Sequence, residues 1–299
     1  MPTELKPPII LFGNFRSGTT MLQKIIASHP DVVAWDEPVG VWLYADPKRS
    51  HDEFDERDAS PAVITYVRKK FLKYQRAHGD RIIVEKTPHN ILKLNYVRAI
   101  FPEARFLYVI RNPLSFVSSV ELKWQRPAGS RRIMKRLKNT PVSQLHHYLP
   151  KLICQQWNKR ILRLKYLSIW GPRYQGIQRD LETEDIVTVI GRQWSRAAKK
   201  AEEDLTFFNE GQVFKFRYED FVESPVTYLE KICRHCCLEI TDEMVQFVRE
   251  TVKPDKNLKW QRFDPDVLAR IVPELADEMQ RNGYETPREI ALAAETATK

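Results

Sequence analysis

Short apolar runs alternate along this chain with longer stretches in which apolar residues return every three or four positions. The runs at 9–12, 32–35, 81–84, 105–110 and 213–217 predict strands. Those at 9–12 and 105–110 are nearly unbroken, as in strands buried on both faces of a parallel sheet. Helical spacing predicts helices over 19–28, 61–77, 90–99, 113–123, 143–167, 186–205, 226–236, 241–250 and 265–282. Strand and helix in alternation predict an α/β protein: three layers around a central, mainly parallel sheet. No repeat or low-complexity linker divides residues 1–285, which are read as one domain carrying a mostly helical insertion at about 125–205. The alanine- and charge-rich tail, 286–299, is expected to fray.

Chemistry enters directly behind the first strand. Gly13-Asn14-Phe15-Arg16-Ser17-Gly18-Thr19-Thr20 follows Ile9-Ile10-Leu11-Phe12 and leads into an apolar helix, the frame of a phosphate-binding loop. Such a turn aims backbone N–H groups and a helix N-terminus at an anion. A triphosphate loop carries Lys and then Ser or Thr after its second glycine; here Thr19 stands in the lysine position, and the positive charge is on Arg16 inside the turn. The loop is therefore an anion cradle not built for ATP. A second cluster follows the strand at 105–110: Arg111 at its tip, Asn112-Pro113 opening a helix, Ser119 two turns on and Lys123 one turn further on the same face. A guanidinium, a hydroxyl and an ammonium so placed suit a second phosphate group. Together the clusters describe a ligand with two separated phosphates.

These segments resemble the sulfotransferases that use 3′-phosphoadenosine-5′-phosphosulfate (PAPS). Arg16-Ser17-Gly18-Thr19-Thr20 resembles their 5′-phosphosulfate loop, and Arg111-Asn112-Pro113 with Ser119 their 3′-phosphate segment. The resemblance continues in Glu85-Lys86-Thr87-Pro88, in Arg217-Tyr218-Glu219-Asp220-Phe221 with Ser224-Pro225, and in Lys259-Trp260, so that it spans about residues 8–284. It is nearest to the carboxylate-base bacterial, carbohydrate and tyrosylprotein branches and further from the branch that uses a histidine within K-T-H. The resemblance implies a P-loop NTPase-like fold, PAPS as sulfuryl donor, adenosine 3′,5′-bisphosphate (PAP) as product and a small-molecule, carbohydrate or natural-product acceptor. It implies that Arg16, Ser17, Gly18, Thr19, Thr20, Arg111, Ser119, Lys123, Tyr218 and Lys259 bind the nucleotide. Tyr218 could equally be core behind its strand, and Lys253, Lys256 and Arg262 compete with Lys259 in one loop.

Sulfuryl transfer needs an aligned acceptor, a base and stabilised charge on the leaving phosphate; by analogy with phosphoryl transfer, positioning and electrostatics dominate. A metal is not demanded, because the ligand's charge is lower and arginine and lysine can balance it. Glu37, just beyond the second strand and twenty-one positions after Arg16, is the base candidate. Asp36 is the next, although strand alternation points it the other way. His89 is the third; it stands three residues after Lys86, where the histidine-using branch has two and this chain has Pro88. Lys86, and with it Arg16, is expected to stabilise the leaving phosphate.

A net charge of +9 fits an anionic ligand and would fit nucleic acid equally. The basic residues Arg126, Arg131, Arg132, Lys135, Arg136 and Lys138 could grip an anionic acceptor or form a solvated helix face. Trp157, Trp170, Trp194, Tyr148, Tyr166 and Tyr174 stud the insertion, which is expected to act as the acceptor-binding lid. A small-molecule or nucleotide kinase would keep this fold but should have the missing lysine; a non-catalytic nucleic-acid-binding protein would leave the anion loop idle. Cys233-Arg234-His235-Cys236 has metal or redox spacing without a second ligand pair, so buried thiols are the plainer reading. The first six residues run straight into the first strand, and no stretch approaches ~20 apolar residues. A cytoplasmic protein without stable membrane insertion is expected.

Overall fold

The computed structural model describes residues 4–124, 171–253, 260 and 263–285, with the backbone alone at 121–124. Five parallel strands form one sheet: β1 (Ile9–Gly13), β2 (Val32–Asp36), β3 (Ile82–Lys86), β4 (Arg105–Ile110) and β5 (Val213–Arg217), in the order β2-β3-β1-β4-β5. Their carboxyl ends, at Gly13, Asp36, Lys86, Ile110 and Arg217, share one edge of the sheet. The register sets Asp36 beside Lys86, Gly13 beside Val109 and Ile110 beside Arg217. The chain passes from β1 out to β2 and β3, then crosses to β4, so β1 lies where the winding reverses. In open parallel sheets, that is where ligands bind.

Alternation along the strands divides the core in two. Ile10, Phe12, Ile83, Phe106 and Tyr108 face one side, where α2 (Val39–Trp42), α3 (Pro61–Ala77), α4 (Leu94–Ile100), α5 (Pro113–Trp124), α6 (Ile177–Thr183), α7 (Ile186–Leu205) and a late helix pack. Ile9, Leu11, Val84, Leu107 and Val109 face the other, against α1 (Thr19–Ile26), α9 (Pro225–His235) and α10 (Asp242–Thr251), with α8 (Tyr218–Glu223) at the end of β5. The late helix is α11 (Pro265–Arg281), which packs along α7. This is the expected three-layer α/β fold. Several of its helices begin where the sequence supplies caps: Ser60 ahead of Pro61, Asp185, Thr241, and Asp264 ahead of Pro265.

Departures from the predicted elements are local. The helix expected at 90–99 is a 3-10 turn, Pro88–Leu92, followed by α4, with the backbone broken at Lys93. α2, α6 and α8 are too short for periodicity to reveal. β3 runs on through Glu85 and Lys86, two residues further than its apolar run. α7, within the span expected for the insertion, contributes Ile190, Trp194, Ala197 and Ala201 to the main core. The helix expected at 143–167 lies outside the described residues, as do the basic run at 126–138 and the tail.

Candidate active site

Gly13, at the end of β1, has φ 159°, and a Cβ there would meet the Val109 carbonyl oxygen at 2.3 Å, so the loop leaves the sheet along a path open to glycine. Arg16 (φ 70°) and Gly18 (φ 82°) are both left-handed, and Ser17 N–H closes the turn on the Asn14 carbonyl at 3.1 Å. Gly18 is the N-cap of α1, whose first amides have no acceptor within the helix. Beside them the Ser17 hydroxyl oxygen is buried and has no hydrogen-bond partner among the described residues. An oriented hydroxyl, free helix amides and a guanidinium fit the oxygens of a phosphosulfate group. Thr19 is buried at the helix start and Thr20 is exposed.

The two phosphate clusters of the sequence are joined in space. Arg111, at the tip of β4, donates from Nη1 to the Arg16 carbonyl oxygen at 2.7 Å, and Arg16 Nε donates to Ser119 Oγ on α5 at 3.1 Å. The Arg111 guanidinium lies over the Tyr218 ring, 4.6 Å from its centroid. Tyr218 in turn covers Gly18: a Cβ at residue 18 would stand 2.4 Å from the ring. Tyr218 is thus a wall of the loop. Asn112 caps α5 by accepting from Leu114 N–H at 2.9 Å, and its own N–H donates to Glu219 at 3.0 Å. Tyr284 donates to the other Glu219 oxygen at 2.9 Å, so the Arg-Tyr-Glu-Asp segment fixes the Arg-Asn-Pro turn. Lys123 lies in the last turn of α5, where only the backbone is described, and Lys259 lies outside the described residues.

On the other side of β1, at the same edge, Lys86 is 2% exposed. Its Nζ donates to Glu37 Oε1 at 2.9 Å and stands 2.6 Å from Asp36 Oδ1. Asp36 and Glu37 therefore reach one ammonium, contrary to the expectation that alternation would separate them. The strand ends at Asp36, and Glu37 is left-handed at φ 54°, with its N–H bonded to the Lys86 carbonyl at 3.0 Å. Among the described residues only four non-glycine residues have positive φ, and two of them are Arg16 and Glu37. Such strain concentrates at functional sites. Burial opposes ionisation of Glu37, but the Lys86 charge and hydrogen bond outweigh it and hold the carboxyl below its ordinary range. Burial likewise disfavours the Lys86 charge, yet the two carboxylates raise its pKa. His89 is close enough to Glu37 to lower its pKa further, while its Nε2 lies 4.0 Å from Asp52 Oδ2.

Two groups escaped the sequence reading. Glu85 is fully buried and accepts from Trp42 Nε1 at 3.1 Å, Thr87 Oγ1 at 2.5 Å and Asn90 Nδ2 at 3.1 Å. A carboxylate behind Ile82-Ile83-Val84 was the available signal. Asp52, also buried, is gripped by Arg173, whose Nη2 donates to Oδ1 at 2.7 Å. Cys233 and Cys236, by contrast, are buried on and beside α9, and burial pushes the Cys233 thiol up to about 11.

A family profile described as the Sulfotransferase family matches residues 7–169 and 168–242. The chain belongs to the sulfotransferase family. It is similar to the nodulation protein NoeE of Sinorhizobium fredii (strain NBRC 101917 / NGR234), 30% identical over 154 residues, covering 44% of this chain and 36% of that protein. It is also similar to protein-tyrosine sulfotransferase A of Caenorhabditis elegans, 28% identical over 124 residues, covering 38% of this chain and 33% of the relative. The chain spans about a third of the length of these curated relatives. In fold, this sulfotransferase is similar to the sulfotransferase domain from the curacin biosynthetic pathway, with a TM-score of 0.56 at 14% identity, covering 95% of this chain and all of that one. The sulfotransferase domain from the Synechococcus PCC 7002 olefin synthase gives 0.55 at 13% identity, covering 96% and 98%. The shared fold is the α/β one, with a central parallel sheet, that the alternation of strands and helices and the family resemblance implied. Among the described residues no helix is long and apolar enough to cross a membrane.

Proposed function

We propose that this chain moves the sulfuryl group of PAPS to a hydroxyl, or less favourably an amine, of a small-molecule, carbohydrate or natural-product acceptor, releasing PAP. The observation that carries this reading is the joining of the loop to the second phosphate cluster through Arg111, Arg16 and Ser119. Bound there, PAPS supplies an activated sulfuryl group on a stable leaving nucleotide. Ser17, the amides at the start of α1 and Arg16 hold the 5′ end. Arg111 and Ser119 hold the 3′-phosphate, Tyr218 is a wall, and Lys123 and Lys259 are assigned as further basic contacts from the sequence. Lys86 Nζ donates to the oxygen on which charge develops, and Glu37 takes the acceptor proton.

Relatives differ in what their names give them: one is a nodulation protein, others are protein-tyrosine sulfotransferases, and a structural neighbour comes from a biosynthetic pathway. The acceptor is best sought by a mass-spectrometric screen with PAPS. The donor is tested by calorimetry. Wild type should bind PAP far better than AMP, and Arg111→Ala should remove most of that preference, a charge-assisted contact being worth about 1.5–3 kcal/mol. Equal affinity of the wild type for PAP and AMP would defeat the assignment.

A further inference from the structure

Lys86 and Glu37 are delivered by two different segments, and one buried side chain is bonded to both. Lys86 is the last residue of β3 and is followed by Thr87 and the 3-10 turn Pro88–Leu92. Glu37 is followed by Pro38 and α2, which ends at Trp42. Glu85 takes the indole N–H of Trp42 at 3.1 Å, the Thr87 hydroxyl at 2.5 Å and the Asn90 amide at 3.1 Å. Trp42, Thr87 and Asn90 are themselves buried, so none of the three donors has water to turn to. Alternation along β3 puts Glu85 and Lys86 on opposite faces of the sheet. Glu85 is thereby withheld from substrate while it fixes the backbone on either side of the pair.

We propose that Glu85 is a positioning residue, a buried bracket that holds α2 against the turn after β3 and so sets the Lys86–Glu37 contact. The proposal rests on the sulfuryl-transfer reading of that contact. As a carboxylate, Glu85 can only accept, which matches three donors; once protonated, its hydroxyl adds a fourth donor to the set. Burial raises its pKa to about 7, against the hydrogen bonds of Thr87 and Trp42 and the Lys86 charge, while Asp36 raises it further. Lys93, also buried, faces it from the start of α4, and Glu85 and Asp52 both favour the Lys93 charge. The bracket therefore tightens as pH rises through neutrality.

The test separates positioning from folding and from failure of the parent reading. The probes are PAP for affinity and PAPS with water as acceptor for turnover, so an unidentified acceptor does not enter. Glu85→Met should lower PAPS cleavage about tenfold or more while PAP affinity stays, because a small misplacement of catalytic groups costs turnover first. Glu85→Gln keeps one accepting oxygen for Trp42 and Thr87 but turns an N–H towards Asn90, so it should recover only part of that loss, to the level of wild type with Glu85 protonated. Should Glu85→Met not fold, Trp42→Phe, which removes one donor and keeps the acceptor, should give the same split in weaker form. Independently of activity, the Trp42 indole N–H resonance should titrate near pH 7 in wild type and be flat in Glu85→Gln. Wild-type turnover in folded Glu85→Met, equal losses of turnover and PAP affinity in the variants, or a Trp42 resonance indifferent to Glu85 would each overturn the proposal. A wild type that binds no PAP would instead sink the sulfuryl-transfer reading, and the Trp42 titration would still decide whether the bracket exists.

Discussion

Glu37 and Lys86 each set what the other can do. Held by the ammonium, Glu37 is ionised at neutral pH but is a weak base. In the proposed mechanism, drawing a Lys86 N–H to the leaving oxygen would take part of that stabilisation from the carboxylate and raise its basicity when the acceptor proton must move. With an aliphatic alcohol as acceptor, Glu37→Gln should lower PAPS turnover by roughly 10²–10⁴ and leave PAP affinity near wild type. His89→Ala should be much milder, since His89 faces Asp52 as well as Glu37. The opposite ranking would move the base to His89, and near-normal turnover in both variants would move it to Asp36, which also reaches Lys86, to a residue of the insertion or to the acceptor itself. Lys86→Ala should cost more in turnover than in PAP affinity, because its contact strengthens as charge develops. If affinity alone drops, Lys86 is a phosphate ligand and no more.

Among the elements, the strands were the most legible. All five are parallel, and β1, β3 and β4 are buried along almost their whole length, so the apolar runs could be read to within two residues of the observed strand ends. The loop between β1 and α1 was legible because only glycine and a few tolerant residues can trace it, and the spacing of Gly13 and Gly18 survives in the sequence. What stayed hidden has partners far along the chain. Glu85 looks like the end of a strand until Trp42, forty-three positions away, is seen to satisfy it. Glu37 joins Asp36 at Lys86 through a left-handed backbone that no pattern announces. The role of Tyr218, left open between core and nucleotide, turns on its contact with Gly18. Gly18→Ala places a methyl 2.4 Å from that ring, in a backbone conformation unfavourable to alanine. Tyr218 must move and take its stacking on Arg111 with it. PAP affinity measured by calorimetry should fall about tenfold or more, a loss of about 1.4 kcal/mol. Unchanged affinity would make Tyr218 ordinary packing.

At the scale of the whole molecule, the buried carboxylates make stability depend on pH in two opposed ways. Asp52 is held well below the usual carboxylate range: burial opposes its charge, but His89 and Arg173 outweigh the cost. Its stabilising contribution is complete above the unfolded value of 3.8 and is lost as pH falls through its lower native pKa. Glu85 behaves inversely. Its pKa rises on folding from 4.5 to about 7, so the native state keeps a proton that the unfolded chain releases. That contribution is complete below 4.5 and disappears as pH climbs through about 7, with a slope of at most about 1.4 kcal/mol per pH unit for one proton. The charge that the bracket needs at neutral pH is therefore gained at the expense of stability, a trade familiar where a site is held in a strained or desolvated state. Between pH 5 and 8, wild-type melting temperatures should fall, and Glu85→Gln, which cannot titrate, should flatten that fall while leaving the acid limb governed by Asp52 in place. Parallel melting profiles for wild type and Glu85→Gln across this range would show that Glu85 does not carry a proton into the folded state.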